Sequence, residues 1–358
     1  MLEASQALPL DLYFLAPSCV PSSDLETSGA SLGPAEVTEL LEEERVLGLA
    51  EVMDYPGVLR GREALLEKIA AARSRGKVVD GHGPGLSGAP LIAYLNAGVG
   101  TDHECTTLEE AREKLGLGMR IMIREGSQAK NMADLLPLVR PETARHFLLV
   151  SDDREPQDLL RAGHLDALLR KAVSLGLPPH LAVQMVTLNP AEYFGLRDRG
   201  AVAPGRIADL VVVEDLQDFT PLLVFKGGRL VAAEGRLLRE IPPLRDPATL
   251  DTVRVGLLNA DRLRIPAGGR AHRVIELVPD QIVTRQATLE ARAVDTEVRP
   301  DPSREMLKLV VVERHGKNGN IGLGLVRGFG LRQGALASSV AHDSHNLIAV
   351  GAEDRDIL

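Results

Sequence analysis

Between residue 11 and about residue 190, short apolar runs break off into polar clusters and give way to segments of helical spacing. The runs are 12–16 (LYFLA), 46–50 (VLGLA), 77–79 (KVV), 98–100 (GVG), 119–123 (MRIMI) and 147–150 (FLLV). Residues 108–117 and 158–175 place apolar and charged residues at the spacing of amphipathic helices. Nearly all-apolar strands that alternate with helices belong to a parallel sheet covered on both faces. Two architectures meet that description, an open doubly wound sheet and a (β/α)8 barrel.

The polar residues separate them. The runs lead directly into Ser18-Cys19, Glu51, Asp80-Gly81-His82, Thr101-Asp102-His103-Glu104, Arg124-Glu125-Gly126-Ser127 and Ser151-Asp152-Asp153-Arg154. A barrel spreads its chemistry over the C-terminal ends of many strands. A doubly wound sheet gathers its ligand at one switch point behind a glycine-rich turn, and no G-x-G-x-x-G follows a run here. The expected fold is therefore α/β, an incomplete barrel with about six of eight βα units. After Asn189-Pro190 the texture changes. Short β-rich runs with glycine turns near 200–213 and 224–231 predict a small sheet domain. Pro242, Pro243 and Pro247 mark a linker, and strand-like runs recur at 253–258, 274–277 and 307–312. The glycine-rich stretch 319–334 lacks the G-K-[ST] of a phosphate loop. The division expected is 1–190 barrel, 191–245 small β domain and 251–358 C-terminal domain.

Composition narrows the function. With 44% apolar and 25% charged residues among 358, the chain is an ordinary globular sequence. A net charge of −9, no Trp and only ten other aromatic rings leave neither a basic patch nor a stacking platform for nucleic acid. No apolar run approaches the ~18 residues of a membrane helix. Two cysteines exclude a disulfide framework and point to the cytoplasm.

His82 and His103 follow apolar runs directly and have carboxylates nearby, and Glu51 and Asp152 stand at other strand ends. Imidazole nitrogen mixed with carboxylate oxygen suits Zn, Mn or Fe(II). Such an ion would bring the pKa of a bound water toward ~7. The plainer alternative, histidines satisfied in a core or a turn, loses ground when four such residues fall on strand ends of one barrel. Arg124 and Glu125 either read the edge of a substrate or pair with each other. Asp153 either binds substrate or caps a helix near Pro156, and Ser127 is a second candidate cap. Cys105 is expected to pack behind the site, and no Cys–His pairing suggests a cysteine hydrolase. His342 and His345 offer an i, i+3 metal pair, but a polar cap or interdomain hydrogen bonding suits their strand-to-turn setting better.

The strings VVDGHGPGLSG, GTDHECTT, MIREGS-x-AKN, SDDREP, TLNPAEYFGL and GAVAPGRIADLVVVEDL resemble the bacterial adenine deaminases of the amidohydrolase superfamily. VVERHGKNGNIG, LVRGFGL and ASSVAHDSHN extend the likeness over essentially the whole chain. The resemblance implies hydrolytic deamination of adenine to hypoxanthine and ammonia by a metal-activated hydroxide. It implies a barrel with a β-sandwich-like domain and a C-terminal α/β domain, and two divalent metals, Mn above Fe or Zn. A homo-oligomer binding adenine, with no nucleic acid or membrane partner, is expected. By motif position Glu51 matches the bridging carboxylate, His82 the strand-five histidine, His103 the strand-six histidine and Asp152 the strand-eight aspartate. In that frame Asp152 takes the proton of the attacking water. Glu104 either protonates the purine N1 or orients His103. The family's His-x-His pair is missing from the sequence. The expectation is a chain truncated at both ends, with an inactive fragment or scaffold, or another cyclic-amide amidohydrolase, as the alternatives.

Overall fold

Each apolar run of the first half leads to a parallel strand. The computed structural model describes residues 1–241, 246–269, 271–279, 281 and 283–358. The strands are β1 (Phe14–Ala16), β2 (Val46–Val52), β3 (Val78–Gly81), β4 (Thr101–Asp102), β5 (Arg120–Arg124) and β6 (Phe147–Val150). They pair in parallel as β1-β2-β3 and β4-β5-β6. The Gly100 amide donates to the Val79 carbonyl (3.0 Å) and joins the two sets.

The intervening segments form α1 (Pro34–Leu40), α2 (Tyr55–Leu59), α3 (Glu63–Ser74), α4 (Gly88–Ala97), α5 (Leu108–Gly116), α6 (Met132–Leu135), α7 (Pro156–Arg161), α8 (Leu165–Ser174), α9 (Pro179–Val186) and α10 (Leu188–Tyr193). Thr107 starts α5 by accepting the Glu110 amide with its hydroxyl, and the Asp54 carboxylate does the same for Gly57 in α2. Two aliphatic cores lie between strands and helices. Val37, Leu49, Ile69 and Leu91 belong to the first; Ile121, Ile123, Phe147 and Leu168 belong to the second. Each such side chain contributes roughly 1.5–3 kcal/mol on burial.

Two elements differ from expectation, each because of a glycine. Gly98 ends α4 in the left-handed region (φ 111°), so β4 starts at Thr101 and not at 98. Gly163 (φ 100°) breaks the expected 158–175 helix into α7 and α8.

The chain divides into two compact units, Met1–Cys19 with Leu32–Leu244, and Val20–Ser31 with Arg245–Leu358. In the first, β7 (Leu210–Val213), β8 (Pro221–Lys226), β9 (Arg229–Ala233) and β10 (Arg236–Leu237) form an antiparallel sheet in the order β10-β9-β8-β7. Among the described residues this is one sheet, where a sandwich would have two. The second unit is built on β11 (Ile265–Pro266), β12 (Ala271–Leu277), β13 (Thr284–Glu290), β14 (Arg292–Val294), β15 (Glu297–Arg299), β16 (Met306–Val312), β17 (Ile321–Arg327), β18 (Ala335–Ala341), β19 (Asn346–Gly351) and the short α11 (Asp354–Ile357). Its main sheet runs β13-β12-β17-β16-β19-β18. The expected α/β character of 251–358 is therefore corrected to β-rich. Segments such as IGLGLVR alternate with a period of two and carry no helical stripe. Two asparagines of this unit hold its early segment, since Asn318 Nδ2 donates to Thr27 Oγ1 (3.0 Å) and Asn346 Nδ2 to the Thr27 carbonyl (2.9 Å). Pro242 and Pro243 of the expected linker lie outside the described residues. No helix among the described residues is long and apolar enough to cross a membrane.

The β3–β4 junction demands a glycine. A Cβ on Gly81 would lie 1.9 Å from the Thr101 carbonyl oxygen, a backbone atom that cannot swing away. Gly81→Ala should cost about 3 kcal/mol in urea denaturation by forcing the strands apart. Gly116→Ala, at the end of α5 with open space around it, should be neutral or stabilising by a few tenths of a kcal/mol.

Candidate active site

Parallel strands place their C-terminal ends on one side of the sheet, and β2 to β6 each bring a charged side chain there. β2 brings Glu51, whose carbonyl accepts the Ser18 hydroxyl (2.5 Å); the Lys68 ammonium donates to the Ser18 carbonyl (2.9 Å). His82 follows β3. Its amide donates to the buried Tyr94 hydroxyl (3.0 Å), which donates in turn to the Val52 carbonyl (2.6 Å). One side chain of α4 thus stitches the turn after β3 to the end of β2. His103 and Glu104 follow β4, and Arg124 ends β5. Asp152 stands just past β6 in the left-handed region (φ 50°), which aspartate tolerates better than most residues.

These groups meet. Glu51 Oε2 lies 2.8 Å from His82 Nδ1 and 3.1 Å from His103 Nε2. The two rings stand edge to face with centroids 5.4 Å apart. Glu104 Oε1 is 3.4 Å from His103 Nε2 and 3.8 Å from His82 Nδ1, and it pairs with Arg124 Nη1. The same Nη1 reaches Asp152 Oδ2 at 2.9 Å. Arg124 is fully buried, and its Nε and Nη2 have no hydrogen-bond partner among the described residues.

The charges reinforce one another. Burial would raise the Glu51 carboxyl, but hydrogen bonds from His103 and His82 outweigh it and hold Glu51 well below the usual carboxylate range. Burial would lower His103, yet the Glu51 hydrogen bond and the charges of Glu51, Asp80 and Glu104 push it up to about 9. His82 is raised against burial by the Glu51 hydrogen bond and by the Glu104 and Glu51 charges.

The donor atoms of Glu51, His82 and His103 lie within 4.8 Å of one another, as do those of His103, Glu104 and Asp152. The two triads share His103. Carboxylate oxygens mixed with imidazole nitrogens form a donor set that fits a divalent ion of the Mn, Fe or Zn kind. All four expected ligands and Glu104 are therefore brought together.

Other expected residues stand differently. Successive strand residues face opposite sides, so Glu125 turns away from Arg124 toward the helices. There it pairs with Lys171 of α8 and accepts the Met132 amide (3.3 Å). An Arg124–Glu125 ion pair is not among the partners of either residue. Asp153 is exposed beside Asp152. α7 starts after Glu155, whose own side chain makes no cap. Ser127 fixes that start instead, accepting the Glu155 amide (2.9 Å) and donating to Asp158 (2.5 Å). Cys105 is buried 3.3 Å from Asp102, and burial together with that charge pushes its thiol up, away from reactivity. His342 and His345 occupy the turn between β18 and β19, not a helix. Sequence reasoning missed Tyr94, whose hydroxyl is the one polar side-chain atom between 91 and 95, and Lys114, whose signal was its i, i+4 spacing from Glu110.

A family model described as "Amidohydrolase family" matches residues 1–231, and one described as "Adenine deaminase C-terminal domain" matches residues 281–358. "Adenine deaminase 2" of Carboxydothermus hydrogenoformans is 49% identical over 358 residues, covering 100% of this chain and 62% of its own length. "Adenine deaminase" of Desulfatibacillum aliphaticivorans is 49% identical over 359 residues, covering 100% of this chain and 63% of its own. Among solved structures, the β-aspartyl dipeptidase of Fervidobacterium islandicum AW-1 gives a TM-score of 0.45 at 18% identity, over 57% of this chain and 63% of that one. The chain thus spans about 62% of the length of the curated relatives it matches. With 231 residues matched by the one model and strand ends that gather histidines and carboxylates, the chain belongs to the amidohydrolase family.

Proposed function

We propose that this chain carries the hydrolytic deamination of adenine to hypoxanthine and ammonia. The observation that carries the reading is the pair of overlapping donor triads at the strand ends, on a chain that matches proteins named adenine deaminase throughout. Glu51, His82, His103 and Asp152 would hold the divalent metal, Mn in this reading, and the metal when bound supplies an acidified water. The fold reading is a barrel with six of eight units in this chain. The division is 1–190, 191–245 and 251–358, and a cytoplasmic homo-oligomer completes it.

The residues then divide the proton work. The Asp152 carboxylate takes a proton as water oxygen adds to C6 of adenine. Glu104 gives its proton to N1, so that charge does not build on the ring. Asp152 returns its proton to the amino nitrogen, the C6–N bond breaks and ammonia leaves. The proton of the new C6 hydroxyl goes back to Glu104, leaving the C6 carbonyl of hypoxanthine. Arg124, on both carboxylates at once, fixes their separation, and its two unpartnered donors keep it in the substrate-binding set. Asp153 lies beside that set. Glu125, facing α8, supports it from behind.

Loss of adenine absorbance in the presence of Mn(II) tests the reaction. Turnover that a chelator abolishes and His82→Ala removes is expected. No conversion by the chain, alone or mixed with a segment bearing the family's His-x-His pair, sinks the reading. Glu104→Gln should retain metal and lose at least about 100-fold in kcat; unchanged turnover removes Glu104 from the proton path. Metal must displace the His103 proton, so Mn(II) affinity should rise about tenfold per pH unit between pH 7 and 9 and level off above the His103 pKa of about 9. A titration showing pH-independent affinity across that range would contradict His103 as a ligand.

A further inference from the structure

Behind the site lies a second charged cluster that the proposed chemistry does not use. Lys114 and Asp102 are both fully buried. Lys114 Nζ, from α5, lies 2.5 Å from Asp102 Oδ2, 2.6 Å from Glu110 Oε1 and 2.6 Å from the Gly83 carbonyl oxygen. The ammonium thus occupies the middle of a group, Asp102, Cys105 and Glu110, whose donor atoms would otherwise be close enough to hold a cation. The carboxylates spend their remaining capacity on backbone. Asp102 Oδ1 accepts the amides of Gly83 (3.0 Å) and Glu104 (3.2 Å), the residues that follow His82 and His103. Glu110 accepts the amides of Gly85 (2.7 Å) with one oxygen and Thr106 (3.2 Å) with the other. Both carboxylates therefore clamp both turns, and the lysine ties the two together.

Two buried carboxylates converging without a cation would repel each other and be costly to desolvate. Burial works against the Lys114 charge, but Asp102 and Glu110 overcome it and keep the ammonium protonated. A permanent side-chain cation here does mechanically what a second structural ion would do, and it cannot be chelated away.

We infer that Lys114, held between Asp102 and Glu110, is a positioning residue that fixes the turns after β3 and β4 so that His82 and His103 present their imidazoles to one cation. The inference rests on the metal-site reading above, because only then does the spacing of the two imidazoles matter. It makes the group around His82 and His103 preorganised before metal arrives.

The test is Co(II) binding by the full chain, followed by the visible absorption of the bound ion. Lys114→Met should weaken Co(II) binding by about 10- to 100-fold, the range that supporting residues command at metal sites, and alter the absorption band. Leaving Asp102 unpaired also threatens folding, so the double variant Asp102→Asn/Lys114→Met carries the test if the single one fails to fold. It removes both buried charges and keeps an oxygen for the Gly83 and Glu104 amides. Leu168→Ala, a buried position on α8, serves as the control for general loss of stability and should bind Co(II) as the parent does. Affinity within twofold of the parent and an unchanged spectrum in the double variant overturn the inference alone. Equal weakening by Leu168→Ala also overturns it, by showing general loosening. A parent chain that binds no Co(II) overturns the metal-site reading and the inference with it.

Discussion

The close approach of β3 to β4 is the constraint on which the rest depends. Glu51 and His82 come from the β1-β2-β3 set, whereas His103, Glu104, Arg124 and Asp152 come from the β4-β5-β6 set. The candidate site therefore straddles a seam that the Gly100–Val79 backbone bond and the bare Gly81 make narrow enough. A methyl group there would meet the Thr101 backbone and force the two strands apart. Tyr94 and the Asp102–Lys114 pair reinforce the same region from opposite sides: Tyr94 ties the turn after β3 back to β2, and the ion pair ties it forward to the turn after β4. Stability and chemistry thus draw on the same few ångströms of backbone.

The charge pattern follows from that closeness. Three carboxylates, Glu51, Glu104 and Asp152, share their space with two imidazoles and a guanidinium. The Glu51 hydrogen bond and the charges of Glu51, Asp80 and Glu104, acting against burial, are why His103 holds its proton more tightly than a free histidine. Each proton is a placeholder for positive charge. Arg124 differs because its charge is permanent; it touches Glu104 and Asp152 at once.

Much of this arrangement was legible in the sequence. The run 147–150 forms β6 with the same bounds, and the residues after the runs identified Glu51, His82, His103, Glu104 and Asp152 as neighbours. A parallel sheet makes that inference possible, since position at a strand end determines position in space. What sequence did not settle has physical reasons. Whether Glu125 faces the site or the helices depends on the parity of β5, which a run of five residues followed by a turn does not fix. The partners of Arg124 come from β4 and β6, 20 and 28 residues away. The α/β character expected of the C-terminal part came from the family resemblance; the strand-like runs 274–277 and 307–312 themselves fall in β12 and β16. Its pairing of β12 with β17 in parallel inside an otherwise antiparallel sheet is a long-range fact.

The excursion of Val20–Ser31 has a consequence for how the chain can be dissected. The backbone leaves the first unit after Cys19, returns at Leu32, and departs again after Leu244. Unit two is therefore discontinuous in sequence, and no single cut yields it whole. Expressing 245–358 alone would strip Thr27 from Asn318 and Asn346, while 1–244 alone would carry a loop whose partners are gone. A cut that keeps the second unit whole would have to keep both of its pieces.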